Sequence, residues 1–555
     1  MSELLWILLV IPLAAAVIVA VLGPQRTPEI RWVSLAASLA AAVIALVLAV
    51  NLAVERVAQP GESPLKSSTL LTFEPSYVTI LDVLPIGPGV IQFYIGLDGI
   101  NVWLVVLTSV LMVSAVLASW HSPQVKERLN EYFAWLLLLE TGMIGVFLAF
   151  DIILFYVFFE LTLVPLFFLI GIWGGPERRH AARKFFIYTL TGSLITLLGV
   201  LGAVLAVYYP RMDELTFSIP RLVQTLNARF ALPGEHALWQ SVQFWVFLAL
   251  IAGFSIKVPL VPLHTWLPLA HVEAPTAGSV LLAGVLLKIG TYGYLRLCLP
   301  LAPDACVSVG VPFIGTLAVI GIIYGAFTAL AQNDMKKLVA YSSVSHLGFC
   351  MLGMFALNMA GLSGSLLQMI NHGLSTGALF LLVGMLYDRY HTRQLDDYGG
   401  MASRLKVLAC FMVFMCLSSA GLPGLNGFIG EALVFLGMFS LRPSLAVIGT
   451  AGIVLGAWYL LRLLLRIFFG PVREPQHEGH EPVTDLNLRE WAALVPIAVL
   501  CIWIGVYPRP ILDTATRDLE VIVRITEDAS ARAGKYPLAR TTGQTRAAAR
   551  GENSR

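Results

Sequence analysis

The sequence predicts an all-α membrane protein with about 14 transmembrane helices. Of its 555 residues, 57% are hydrophobic and 13% charged, and mean hydropathy is +0.80. Apolar runs of about 20 residues, the length that crosses a bilayer, recur from one end of the chain to the other. So little charge cannot coat a soluble protein of this size. A transmembrane barrel would alternate polar and apolar residues, and these runs do not alternate.

The expected spans lie near residues 3–23, 31–53, 97–120, 131–150, 152–172, 185–208, 241–271, 275–299, 308–331, 337–357, 363–388, 405–437, 443–470 and 489–508. The first run follows Met1-Ser-Glu without a basic segment, so it is read as a retained helix and not as a cleaved leader. Two spans carry helix breakers: the seventh at KVPLVPLH (257–264) and the twelfth at GLPGLNGFIGE (421–431). Unwound backbone survives at membrane depth only where it lines protein or water. Broken helices five spans apart predict two inverted five-helix repeats, spans 4–8 and 9–13, as in transporters built by duplication. The chain then divides into spans 1–3 (1–120), the first repeat (121–300), the second repeat (301–470), and a final span with a polar tail (471–555).

Long polar connections are expected at 54–96 and 209–240, a short amphipathic segment at 511–526, and a disordered tail after 527. Arg26, Arg31, Arg178, Arg179, Lys336, Lys337, Arg389 and Arg473 fall in alternate connections. Because short cytoplasmic loops retain positive charge, both termini are expected outside the cytoplasm. A net charge of +2 gives no reason to expect nucleic acid. The six cysteines form no CxxC or Cys/His cluster, so neither an iron–sulfur cluster nor a metal site is expected in this chain.

Charge at bilayer depth costs several kcal/mol and marks ion paths. Seven ionisable residues lie deep in expected spans: Glu140 in span 4, Glu160 in span 5, Lys257 at the break of span 7, Lys288 in span 8, His346 in span 10, His372 in span 11 and Glu431 at the break of span 12. A buried lysine tends toward neutrality and a nearby carboxylate restores its charge, so a Glu/Lys pair is a switchable proton site. Glu160 with Lys257 is the chosen pair, Lys288 and the two histidines form a relay, and Glu431 is the terminal carrier. Ser342, Ser343, Ser345, Gln368, Asn371, Ser375 and Thr376 could order water between them. His264 and His271 suit stabilisation of the broken helix as well as proton transfer. Asp334, Lys336 and Lys337 suit a solvated loop as well as proton uptake.

The run FSIKVPLVPLHTWLPLAHVEAPTAGSVLLAGVLLKIGTYGYLR (254–296) closely resembles the signature of the antiporter-like subunits of NADH-quinone oxidoreductase, respiratory complex I. So do FELTLVPLFFLIGIWGG around Glu160, QNDMKKLVAYSSVSHLGF and NHGLSTGALFLLVG. The resemblance covers roughly residues 90–470. It implies that Glu160 and Lys257 are a coupled pair, Lys288 the central lysine, His346 and His372 the relay, and Glu431 the exit-side carrier. A glutamate at 431, where the largest paralogue carries lysine, points to the M-type subunits. The resemblance also implies a proton-translocating subunit of a complex in the cell inner (plasma) membrane, partnered by other membrane subunits including paralogues. FMN, iron–sulfur clusters and quinone would belong to partner subunits, with no cofactor here. A subunit of a multisubunit cation/proton antiporter is the alternative. An inactive membrane scaffold is a third.

Overall fold

The computed structural model describes residues 1–58, 71–122, 125, 127–209, 215–230, 236–475 and 483–536. Helices α1 (Ser2–Val21) and α2 (Thr27–Ala58) pair with each other and pack on α4 (Leu129–Leu148). Between α2 and α3 (Val102–Ser119) lies an antiparallel hairpin, β1 (Ser76–Ile86) and β2 (Gly89–Leu97). The segment 54–96 is therefore not the expected polar connection. Its alternation of β-branched and aromatic residues around Pro88-Gly89 satisfies strand rather than coil. Residues 59–70 lie outside the described set.

The fifth expected span is two helices, α5 (Ile152–Leu161) and α6 (Leu163–Trp173), parted at Thr162. Pro165 has no N–H to give the carbonyl of Leu161, which loosens the turn just after Glu160. Helix α7 (Arg178–Tyr208) follows, then α8 (Ile219–Phe230), a helix inside the expected connection 209–240. The seventh span is broken as expected: α9 (His236–Lys257) ends at Lys257 and α10 (Trp266–Glu273) resumes beyond the prolines.

Helix α11 (Thr276–Leu301) is buried along its length except at Thr276. It widens to π-type turns at Leu282–Leu286 and Tyr294–Cys298. Helices α12 (Pro303–Leu330), α13 (Met335–Met354) and α14 (Met359–Tyr390) complete the centre of the bundle. The twelfth span is also broken. Helices α15 (Lys406–Ser419) and α16 (Asn426–Leu441) are joined by a turn in which Gly421 and Gly424 take φ of +76° and +91°, a region that favours glycine. Helices α17 (Pro443–Phe468) and α18 (Leu488–Val506) close the bundle.

Twelve described helices are long and apolar enough to cross a membrane. The other two expected spans fall on α13 and on the α15/α16 pair. The expected amphipathic segment is longer than 511–526. Helix α19 runs from Arg509 to Ala533, so the chain past 527 remains ordered through that helix, which buries Ile511, Leu519, Ile522 and Ile525 against α2 and α14. Its amphipathic period supplies the burial that overrides a polar composition. The expected disorder of the tail beyond 536 falls outside the described residues.

Candidate functional site

Of the expected site residues, the structure joins four into one series at the centre of the bundle. Lys288 on α11 is fully buried, and its Nζ lies 2.5 Å from His372 Nδ1 on α14 and 2.5 Å from the carbonyl of Ala283. That carbonyl belongs to the wide turn Leu282–Leu286. Such turns free backbone acceptors and recur at functional sites. When Lys288 donates, His372 carries its own proton on Nε2.

The His372 and His346 rings are 5.7 Å apart between centroids. His346 Nδ1 faces Glu431 Oε1 at 3.5 Å, and its Nε2 lies 3.3 Å from both Ser419 Oγ and Tyr459 OH. Gln368 Nε2 donates to Glu431 Oε1 at 3.3 Å. The helix break sets this end of the series. A Cβ on Gly421 would stand 3.0 Å from Glu431 Oε2, so glycine lets the unwound chain approach the carboxylate. His372, His346 and Glu431 are all at most 4% exposed. Asn371 Oδ1, Gln368 Oε1, Thr376 Oγ1 and His372 Nε2 are buried with no protein hydrogen-bond partner, the kind of polar lining that holds bridging water.

Lys257 adjoins this series through the backbone. A Cβ on Gly290, two residues beyond Lys288, would sit 2.9 Å from the Cβ of Lys257, so the break of α9 packs directly on the Lys288 turn. Glu160 and Lys257 are not a contact ion pair, contrary to the expectation of a close pair. Lys257 Nζ lies over the Phe159 ring, 4.4 Å from its centroid, and Glu160 Oε1 is buried without a hydrogen-bond partner. The aromatic face takes the ammonium that the carboxylate was expected to hold. Glu140 stands apart: on α4 it accepts a hydrogen bond from Ser38 of α2 at 3.2 Å, and its other oxygen has no partner.

Other candidates have structural settings. His271 is fully buried and stacks on Phe380 at 4.5 Å, and His264 packs edge-on against Tyr324 at 5.1 Å. Asp334 caps α13 by accepting from the N–H groups of Lys336 and Lys337. Lys336 Nζ donates to the carbonyl of Ala274 at 2.5 Å. Asp334 and Lys336 are thus buried groups and not a solvated loop. Tyr459 and Ser419 were not anticipated. Tyr459 sits in an apolar helix whose sequence carries no sign that its hydroxyl faces a histidine. Among the described residues no group of three or more His, Cys, Asp or Glu is placed to hold a metal ion.

Fold and site define a membrane protein with a buried row of ionisable groups running between broken helices. Residues 149–456 match the family model for the transmembrane subunits of NADH:quinone oxidoreductase and Mrp antiporters, and the chain belongs to that family. It is 40% identical over 529 residues to subunit M of NADH-quinone oxidoreductase from Rhodobacter capsulatus, covering 92% of this chain and 95% of that protein. Chain 4 of NADH-ubiquinone oxidoreductase from Marchantia polymorpha is 43% identical over 424 residues, 76% of this chain and 81% of that protein. Among solved structures, a chain of respiratory complex I from Thermus thermophilus, determined with bound NADH, superposes with a TM-score of 0.77 at 28% identity, covering 94% of this chain and 99% of that one. A chain of the Mrp complex from Dietzia sp. shares the fold, with a TM-score of 0.73 at 20% identity, covering 96% and 99%.

Proposed function

We propose that the chain is the M-type proton-translocating membrane subunit of an NADH:quinone oxidoreductase. The observation that carries this reading is the buried series Lys288, His372, His346, Glu431, whose successive members are separated by 2.5 Å, by 5.7 Å between ring centroids, and by 3.5 Å. Each member can both gain and lose a proton. Lys288 is the central store, the histidines pass the proton through their two ring nitrogens, and Glu431 at the broken helix releases it. Glu160 and Lys257 act one step upstream as a loosely coupled pair: a change in the charge of Glu160 alters the field at Lys257, whose segment packs on the Lys288 turn. Glu140 is placed outside the series.

Oxidation of NADH and reduction of quinone take place in partner subunits, which hold FMN and the iron–sulfur clusters. Coupling reaches this chain through packed neighbours, including antiporter-like paralogues, and a two-state charge arrangement. The chain lies in the inner (plasma) membrane with 14 crossings, of which spans 4–8 and 9–13 form two inverted five-helix repeats, and with both termini on the non-cytoplasmic side. The 40% identity to a subunit M over 92% of this chain and 95% of that protein favours this reading over a stand-alone cation/proton antiporter.

The test is Lys288→Met in the intact complex reconstituted into vesicles, with protons translocated measured per NADH oxidised. The expected result is loss of proton translocation attributable to this subunit, with the complex still assembled. An unchanged ratio would remove Lys288 from the path.

A further inference from the structure

A second cluster of buried charge lies at the opposite end of α11 from Ala283, outside the series described above. Arg296 and Asp98 are both fully buried, and Arg296 Nη2 donates to Asp98 Oδ2 at 2.5 Å. The other oxygen of Asp98 accepts from the N–H groups of Ile100 and Asn101, both at 3.0 Å. Asp518, on the amphipathic helix α19, accepts from Gly99 N–H at 2.7 Å and faces Arg56 of α2 at 3.3 Å. Gly99 is required for this approach, because a Cβ there would stand 2.0 Å from the Thr514 carbonyl oxygen. Four charges, two of each sign, thus tie α2, the β2–α3 turn, α11 and α19 together.

Burying such a cluster is costly, and replacing it by apolar side chains would serve stability as well or better. A reason for it lies along α11. Lys288, Tyr292 and Arg296 are spaced four residues apart and share one helix face. Arg296 Nε donates to Tyr292 OH at 3.1 Å, and Tyr292 OH donates to the Phe147 carbonyl, also at 3.1 Å. Arg296 itself sits in the wide turn Tyr294–Cys298. A wide turn holds one extra residue, so its relaxation to regular α-helix would rotate everything before it by about 100°, the step of one residue. Such a rotation would carry Lys288 Nζ away from His372 Nδ1.

We infer that the Asp98–Arg296 pair, backed by Arg56 and Asp518, is a positioning device that holds the wide turn and thereby sets Lys288 against His372. Helix α19 completes the clamp. It is fixed at Asp518 on one side of the α11–α12 junction, and on the other side Arg532 donates to Asp304 Oδ1 at 2.8 and 3.1 Å. The inference rests on the proposed proton series and adds to it a remote control of its geometry.

The experiment compares Asp98→Asn, Asp98→Glu and Asp518→Asn in the reconstituted complex, reading assembly by native gel, protons translocated per NADH oxidised, and the pH profile of translocation. Asp98→Glu keeps every charge while shifting the anchor by one methylene, so it assembles even where Asp98→Asn does not. Positioning predicts that each assembled variant translocates fewer protons per NADH, at least about twofold fewer for Asp98→Asn, a size typical of substitutions within a coupling network. It also predicts a displaced pH profile and, for Asp98→Glu, partial recovery. A merely structural role predicts less complex, with the parental ratio and profile in whatever assembles, and that result would overturn the inference. Lys288→Met is run alongside. If it pumps at the parental ratio, the proton series itself is wrong; if it fails to pump while all three anchor variants pump normally, only the positioning role falls.

Discussion

The two buried charge clusters differ in how completely their carboxylates are held and in whether their cations can release a proton; in the outer cluster Arg56 Nη1 and Nη2 and Arg296 Nη1 are buried without a hydrogen-bond partner. At the outer cluster, Asp98 meets an arginine and two backbone N–H groups, and Asp518 meets an arginine and one. Both cations there are guanidinium groups, which do not release protons. In the central series, Glu431 meets only a histidine at 3.5 Å and an amide at 3.3 Å, and His372 Nε2 has no protein partner. Every central group can titrate. Buried charge alone therefore does not mark a proton path in this bundle. Incomplete satisfaction by groups that can change charge does.

Substitutions should separate the clusters in opposite ways. The largest expected effect on assembly is Arg296→Ala, which leaves Asp98 as an unpaired buried carboxylate at a cost of about 3–5 kcal/mol; a native gel should show the complex depleted, whereas Lys288→Met should leave it intact. Equal depletion by both would erase the distinction. The largest effect on transport among the relay residues is His372→Ala, which removes the acceptor at Lys288 Nζ and should reduce proton translocation at least about tenfold, the scale of one proton-transfer group. Tyr459→Phe removes one hydrogen bond to His346 without changing charge, and a loss of about 1 kcal/mol predicts a severalfold slower turnover, read as initial rates of proton uptake. Because Glu160 and Lys257 do not touch yet act in one path, combining Glu160→Gln with Lys257→Ala should cost little more than the worse single change. Fully additive losses would mean separate routes. The smallest effect belongs to Glu140→Gln, which keeps the hydrogen bond with Ser38 and should change translocation by less than about twofold.

Much of this was legible in the sequence because glycine, proline and charge act locally. KVPLVPLH and GLPGLNG announce broken helices through missing donors and glycine turns, and Lys288, His346, His372 and Glu431 stand out because ionisable groups are rare in apolar runs. What stayed hidden depends on which atoms meet across helices. Nothing in the residues around 282 or 294 signals a widened turn, and Phe159 could not be seen to take the place expected of Glu160 beside Lys257. The hairpin at 76–97 was written in its β-branched residues but masked by its place between two membrane helices. The outer cluster joins residues as far apart in the chain as Gly99 and Asp518, a pairing that sequence spacing does not reveal.

The central claim is that Glu431 carries a proton at the broken helix, and the most direct measurement compares Glu431→Asp with Glu431→Gln. Protons translocated per NADH oxidised are measured for both after native gels establish assembly. Glu431→Asp still titrates, although its oxygens move by about one methylene, so it should retain activity, whereas the amide of Glu431→Gln cannot titrate and should lose it. Packing alone predicts the reverse order, because glutamine preserves the shape and its contact with Gln368 better than aspartate does. Full pumping by Glu431→Gln would contradict the account.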